Sequence, residues 1–437
     1  MRIGSSFFYP IFYIYPSQKD AKPGGPRKRM KPMEFSTVRI QEGIASILVP
    51  ELADSGEVHI DHARSVAPVF YNPVMKLNRD SAVLVLKAHR KKLSRAITVC
   101  EPMCGTGVRG IRLALEVEGV ERAVLGDLNP LAVELAGENI ALNRVSDRVH
   151  IRQLEANLLL SLHASPLRRF DYIDIDPYGS PSPFLDAAVR ACRRDGLIAL
   201  TATDIAPLCG VNPRACLRKY GGRPLRTSYC REQALRLVIG ALTTAAARHE
   251  EAPVPIFSYA ADHYVRTYAK MRRGAKESNR GLSDMGYVLH CFECSNRRVM
   301  SSFVHGSLEC DVCGAEMGAA GPLWIGDLAD GSFCDDMLEA SERSPLSSNR
   351  ELMSIVRLVK GEIGFPPGFY DIDEICSRLG IPSVATSRVF MVLREAGLRV
   401  TKTHMDRRGF KTDASTTDLE YVLKEAFKSG GGQGPVP

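Results

Sequence analysis

The chain has 437 residues, with 57 lysines and arginines against 50 aspartates and glutamates, for a net charge of +7. That length accommodates two or three full-sized cores, and 45% apolar with 24% charged residues is a globular composition, neither disordered nor fibrous. No run approaches the roughly 20 apolar residues of a membrane span, and the modest charge permits a nucleic-acid partner without requiring one.

The first 16 residues, with Phe7-Phe8-Tyr9 and the run Ile11 to Tyr15, are too aromatic for a secretion signal and lack a cleavage site. Residues 17–32 are rich in Lys, Arg, Pro and Gly and are expected to be disordered, so 1–33 reads as an extension and Met33 as a candidate translation start. The twelve cysteines are not spaced as a secreted disulfide framework, and Cys100, Cys192 and Cys376 sit inside apolar segments. A reducing, cytoplasmic setting follows.

Folded sequence begins near residue 34. Ile44 to Pro50 predicts a strand, 58–77 is a mixed stretch around Phe70-Tyr71-Asn72-Pro73, and Arg79 to Leu93 predicts a helix. From 96 to 260 strands alternate with helices. The strands fall near 97–100, 122–126, 148–153, 171–175 and 196–202, a pattern predicting a parallel, doubly wound α/β sheet with ligands off the carboxyl ends of its strands.

Two of those strand ends carry chemistry. Residues 97–107 run from an apolar strand through Glu101 into the turn Gly105-Thr106-Gly107, with a helix behind it. The glycines let backbone pass close to a ligand, and Asp127 at the next strand end is placed to hold ribose hydroxyls. A carboxylate at Glu101 repels phosphate and favours a cationic ligand, which points to S-adenosylmethionine over a nicotinamide cofactor. Residues 173–181 form a buried strand stopping on Asp176-Pro177-Tyr178. An Asp-Pro pair also begins ordinary turns. Here it sets a carboxylate, a proline-fixed carbonyl and an aromatic face together, a set that grips the exocyclic amine of a flat base. Glu101, Asp127, Glu155 and Asp176 all follow strand ends and are expected to rim one crevice.

Beyond 255 the character changes. Tyr259, Tyr264 and Tyr268 interleave with Arg266, Lys270, Arg272, Arg273, Lys276 and Arg280, which reads as phosphate contact with occasional stacking. Cys291-x-x-Cys294 and Cys310-x-x-Cys313 have the spacing of a structural zinc ribbon. Helices near 348–360, 371–379 and 383–396, then extended segments around 398–412, resemble a winged helix. His263 and His404 lack a nucleophile or relay acid and are not catalytic candidates.

These residues together resemble the tRNA guanine-26 N2-dimethyltransferase family in its archaeal form. The resemblance covers about 37 to 427 and rests on several segments. They are Gln41-Glu42-Gly43, Val69 to Pro73 with Asn78-Arg79-Asp80, Gly105 to Gly110, Asp127 to Pro130, Glu155-Ala156-Asn157, Asp176 to Pro181, Asp262 to Arg266, and His404 with Gly409 to Asp413. It implies a Rossmann-like class I methyltransferase fold with a C-terminal α+β domain carrying the zinc ribbon. The implied division is a methyltransferase domain over 34–255 with an N-terminal subdomain, then a tRNA-binding domain over 256–427. The second domain has a zinc-ribbon insertion at about 287–318, a winged-helix-like end and a flexible tail from 428.

The resemblance further implies that Arg79, Arg109, Asp127, Glu155 and Ala156 line the S-adenosylmethionine pocket, beside Glu101, Gly105 and Gly107. Asp176 and Pro177 would hold the guanine amine, with Phe70 and Tyr178 flanking the base. Three positions depart from the family pattern: Tyr178 where Phe is usual, Glu155 where Asp is usual, and Cys104 where a small residue is usual. The partner implied is tRNA; no membrane or protein partner is inferred. Two competing readings are a methyltransferase acting on another base amine or on glutamine, and a zinc-ribbon nucleic-acid-binding regulator with an inactive core.

Overall fold

The computed structural model describes residues 35–51, 67–301, 308–342, 344, 346 and 349–428. The expectations for 1–33, for 58–66 and for the tail beyond 428 lie outside them.

The described chain opens with a hairpin of β1 (Thr37–Glu42) and β2 (Ala45–Pro50), joined by Gly43-Ile44 with Gly43 at φ 58°. A positive φ at the first turn position suits glycine and matches the strand twist. Next comes α1 (Lys76–Lys91), which starts three residues earlier than the sequence predicts because Asn72 and Pro73 initiate a short 3-10 turn ahead of it.

The sheet is then laid down by alternation: β3 (Ile97–Glu101), α2 (Val108–Glu116), β4 (Val120–Asp127), α3 (Pro130–Leu142), β5 (Val149–Gln153), α4 (Ala156–Ser161), β6 (Phe170–Ile175), α5 (Leu185–Ala191) and β7 (Cys192–Ala202). Two short helices, α6 (Ile205–Leu208) and α7 (Pro213–Tyr220), precede the long α8 (Cys230–Ala247). The antiparallel pair β8 (Glu251–Ala261) and β9 (Tyr264–Arg273) completes seven strands in the order β5-β4-β3-β6-β7-β9-β8. Strand side chains alternate between the two faces. Val99, Ala123 and Leu125 join one apolar core with α1 and α2, whereas Cys100, Val124 and Ile173 join another with α5 and α8.

Two expectations change here. The sheet is mixed, not wholly parallel, because β9 runs antiparallel to both β7 and β8. The expected boundary at 255/256 falls inside β8, and the sheet extends to Arg273. The basic-aromatic stretch is therefore largely interior: Tyr259, Tyr264, Tyr268 and Arg266 are buried on β8 and β9. Arg272 pairs with Asp195 and Arg273 with Glu251, which leaves Lys276 and Arg280 exposed on α9 (Ala275–Ser283). A tyrosine-arginine alternation of period two describes a buried strand with internal polar bonds as well as it describes a nucleic-acid surface, and burial decides between them.

Beyond α9, β10 (Met285–His290), β11 (Arg297–Met300) and β12 (Gly318–Trp324) form a three-stranded antiparallel sheet holding the four cysteines at its end. Helices α10 (Gly331–Glu342) and α11 (Arg350–Gly361) pack back on the core that contains α1. The chain ends as β13 (Tyr370–Asp371), α12 (Ile372–Leu379), α13 (Thr386–Glu395), β14 (Val400–Lys402), β15 (Gly409–Thr412) and α14 (Thr416–Lys428). With α11 in front and strand order β13-β15-β14, this is the element order of a winged helix, built around its own apolar core of Ile372, Ile375, Leu393 and Phe410.

Candidate active site

The strand order reverses between β3 and β6, each paired to a neighbour running away from the other. Such a switch point opens a crevice at the carboxyl ends of the strands. Glu101 is the last residue of β3, Asp127 the last of β4, Asp176 follows β6 directly, and Glu155 stands two residues past β5.

The glycine turn forms the floor. Gly105 has φ 51° and Gly107 φ 76°, a backbone that disfavours side chains. The Gly105 amide donates to Asp127 Oδ2 at 2.9 Å, and the Asn129 amide donates to Asp127 Oδ1 at 2.9 Å. Asp127 thus joins the turn to the start of α3. Asn139 on α3 donates from Nδ2 to the carbonyl of Thr106 (3.0 Å) and of Leu48 (3.0 Å), fastening β2 to the same turn. Glycines in a cradle that a Cβ would disturb, with a carboxylate at the next strand end, fit an adenosyl ligand.

Phe70 is brought to this turn by its backbone. A Cβ on Gly105 would lie 2.9 Å from the Phe70 carbonyl oxygen. Asn129 Nδ2 also donates to the carbonyl of Pro68 at 2.8 Å. Arg79 completes the anchorage: its Nε and Nη2 donate to Glu42 (2.6 and 2.7 Å), and Nη1 and Nη2 donate to the Asn72 carbonyl (3.2 and 3.1 Å). The Tyr71 hydroxyl donates to Glu42 at 2.9 Å. Burial alone would raise the Glu42 carboxyl, but Arg79 and Arg112 hold it at about 2. Arg79, expected along the cofactor pocket, is thereby occupied in holding the segment that carries Phe70.

On the other wall, Arg109 lies buried among three acids. Its Nη1 donates to Asp174 Oδ1 at 2.6 Å, its Nη2 pairs closely with Asp176 Oδ2, and its Nε lies 3.2 Å from Glu101 Oε1. Asp174 was not a candidate from the sequence. The available signal was a charged residue between Ile173 and Ile175 in a buried strand, which has to be paired. Asp174 in turn binds Arg266 on β9, at 2.6 Å from its Oδ2. Burial pushes the Glu101 carboxyl up to about 8, with Arg109 opposing and Asp174 adding to the rise, and its Oε2 accepts from the Gly110 amide at 3.0 Å. Glu101 thus pins the start of α2.

Asp176 keeps Oδ1 without a side-chain partner among the described residues. Pro177 beside it is buried, and the loop beyond is held by the Gly179 amide donating to Thr203 Oγ1 at 2.8 Å. Tyr178 is 88% and Phe70 49% exposed, two aromatic rings left to solvent. Glu155 instead caps α4, accepting from the Leu158 amide at 2.9 Å, and Ala156 is buried as the first residue of that helix. His404, set aside from the sequence, is structural: Nε2 accepts from the Ala260 amide and Nδ1 lies 2.7 Å from Glu362.

Away from the crevice, the Sγ atoms of Cys291, Cys294, Cys310 and Cys313 lie within 4.8 Å of one another. Tetrahedral thiolate ligation needs sulfurs about 3.8 Å apart, and the pairs Cys291–Cys313 and Cys294–Cys310 are at 3.4 and 3.5 Å. The surrounding apolar cluster is small, with Leu289 and Met317 its buried members besides Cys291 and Cys310. The donor set and its packing fit a closed metal site.

Comparison with known proteins decides the lineage. A model of the family described as N2,N2-dimethylguanosine tRNA methyltransferase matches residues 43–424. The chain belongs to this family. The tRNA (guanine(26)-N(2))-dimethyltransferase of Methanothermobacter thermautotrophicus is 40% identical over 386 residues, covering 88% of this chain and 98% of that protein. The tRNA (guanine(26)-N(2)/guanine(27)-N(2))-dimethyltransferase of Aquifex aeolicus is 35% identical, covering 88% and 95%. The solved complex of Trm1 from Pyrococcus horikoshii with S-adenosyl-L-methionine superposes with a TM-score of 0.77 at 32% identity, covering 88% of this chain and 99% of that one. In this family member a Rossmann-like methyltransferase core is followed by the cysteine-bearing sheet.

Proposed function

We propose that this protein transfers methyl groups from S-adenosylmethionine to the exocyclic N2 of guanine 26 in tRNA, giving N2,N2-dimethylguanosine. The observation that carries the reading is Asp176 at the switch point, its Oδ1 without a side-chain partner among the described residues, next to the exposed ring of Tyr178, with Phe70, also exposed, joined by its backbone to the glycine turn. Family membership over 43–424 selects tRNA as the nucleic acid.

When bound, S-adenosylmethionine supplies an electrophilic methyl on a sulfonium. Gly105 and Gly107 admit its methionyl and ribosyl backbone, Asp127 accepts from ribose hydroxyls, and Glu101 with Arg109 borders the cationic end. The target guanine leaves the tRNA stack, since its amine is otherwise paired or shielded, and Phe70 and Tyr178 take up its faces. Asp176 Oδ1 and the Pro177 carbonyl accept from the two N2 hydrogens, which turns the nitrogen lone pair toward the methyl. As the new N–C bond forms the methyl–sulfur bond would break, its electron pair returning to sulfur so that S-adenosylhomocysteine leaves. N2 passes one proton to Asp176, which loses it to solvent, and a second turnover with fresh cofactor gives the dimethylated base.

The residues from Arg273 to Lys428 belong to tRNA binding in this reading, with the winged-helix element order as support. The four cysteines hold zinc as a structural ion. Glu155 acts by capping α4 at the edge of the adenine site, and Arg79 by anchoring Phe70.

Nucleoside mass spectrometry of an unmodified tRNA transcript incubated with protein and cofactor tests the proposal. Dimethylguanosine at position 26, absent when that guanine is replaced, is the expected result. Methylation of an adenine, of glutamine, or of no substrate at all would overturn it.

A further inference from the structure

We infer that Arg266 is a positioning residue for methyl transfer: through Asp174 it fixes the Arg109 guanidinium that holds Asp176, and so sets where the free oxygen of Asp176 meets the amine. This rests on the functional reading above.

Arg266 enters from β9 opposite Thr201 on β7, and its side chain is fully buried. Its Nη1 donates to Thr201 Oγ1 (2.6 Å) and Asp174 Oδ1 (3.1 Å), its Nη2 to Asp174 Oδ2 (2.6 Å), and its Nε to the Tyr268 hydroxyl (2.7 Å). The Tyr172 hydroxyl also donates to Asp174 Oδ2, at 2.5 Å. Asp174 is therefore locked, and its Oδ1 accepts from Arg109 at 2.6 Å. Asp174 and Asp176 are two residues apart along an extended segment, so their carboxylates project from the same face. One guanidinium spans both.

The charge count explains why two arginines are needed. Two guanidiniums face the carboxylates of Asp174 and Asp176, and burial raises the Glu101 carboxyl toward its neutral form. Without the Arg266 fork, Asp174 draws Arg109 toward itself and away from Asp176, and the acceptor oxygen turns with it. A chain of hydroxyls leads off from Arg266: Tyr268 to Ser81 (2.7 Å), Ser81 to Tyr259 (2.9 Å) and Tyr259 to Tyr264 (3.3 Å). It starts on a guanidinium, which gives up no proton in proteins. This chain holds geometry and does not carry protons.

Arg266→Lys keeps one charge but loses the fork that reaches Asp174, Thr201 and Tyr268 together. Methyl transfer by wild type and variant would be compared on the same tRNA transcript, with S-adenosylmethionine affinity from calorimetry and folding from thermal unfolding. We expect kcat to fall about 100-fold, with cofactor Kd and tRNA KM within about threefold, because an ångström-scale misplacement costs that much. A kcat within about twofold of wild type, or a loss confined to KM or Kd, would overturn the inference. If Arg266→Lys unfolds, Thr201→Val with Tyr268→Phe removes two partners and leaves the charge balance. That pair is expected to lower kcat about tenfold at unchanged cofactor affinity, and wild-type kcat there defeats the inference. A wild type that methylates no tRNA defeats the functional reading and this inference with it, whereas an active wild type with unaffected variants defeats the inference alone.

Discussion

The carbonyl oxygen of Phe70 sits 2.9 Å from where a Cβ on Gly105 would be, so the segment bearing Phe70 lies directly on the glycine turn. In the proposed reaction the base and the cofactor are thereby held by backbones in contact. Gly105→Ala is expected to weaken both functions at once. The added methyl meets a backbone atom and the residue has φ 51°, a strain of about 1–3 kcal/mol. Calorimetry with S-adenosylmethionine and thermal unfolding should show lower affinity and a lower Tm. Unchanged values for both would mean that the turn relaxes freely.

Asp176→Ala separates binding from chemistry. Arg109 keeps Asp174 and Glu101 as partners, so the cradle stays intact. Loss of the amine acceptor is expected to lower kcat by about 10²–10⁴-fold while cofactor affinity changes little. Near-normal turnover in a single-turnover assay would remove Asp176 from its role.

Tyr178 tests whether the hydroxyl matters. Stacking needs only the ring, so Tyr178→Phe should keep activity within about twofold, while Tyr178→Ala should lose roughly 1–3 kcal/mol of base stacking. The check is kcat/KM for tRNA in the two variants. Equal activity in Tyr178→Ala and wild type would place the base elsewhere.

Glu101 is expected to make cofactor binding pH-dependent. Its folded value of about 8 lies above the ordinary 4.5, so between them the folded state keeps a proton that the unfolded state has released. Stability contributed by this group therefore falls as pH rises across that window. A sulfonium nearby favours the ionised carboxyl, so binding near neutral pH should release a proton. Calorimetry in buffers of different ionisation enthalpy should detect it in wild type and not in Glu101→Gln. Identical proton release in both would assign it to another group.

Metal removal should act locally. Thiol modification of the four cysteines is expected to release one zinc per chain and to unfold 285–324, seen as faster hydrogen exchange there, while cofactor binding persists. Release of no zinc, or of iron, would reject the assignment.

Much of the site was legible because it is encoded locally. The Gly105-Thr106-Gly107 turn, Asp127 at a strand end, Asp176-Pro177-Tyr178 and the two Cys-x-x-Cys pairs each combine residues a few positions apart whose conformational needs are visible in the chain. The placement of four acids at strand ends followed from strand periodicity alone. What escaped was long-range. Arg266 is 92 residues from Asp174, and its strand read as a basic-aromatic surface because period-two alternation does not say which face is dry. Arg79, expected at the cofactor pocket, is also engaged by Glu42, 37 residues away, a pairing that nothing nearby in the chain announces.

By itself the sequence determined the alternating α/β core, the glycine cradle, the Asp-Pro-Tyr strand end and the cysteine knuckles, since periodicity and turn chemistry act over a few residues. Only the tertiary structure decided that β8 and β9 close the sheet, that Phe70 rests on Gly105, and that Arg109 and Arg266 share Asp174. Buried charges are stable only when paired, and the partner is chosen by packing in three dimensions, where neighbours along the chain have no advantage.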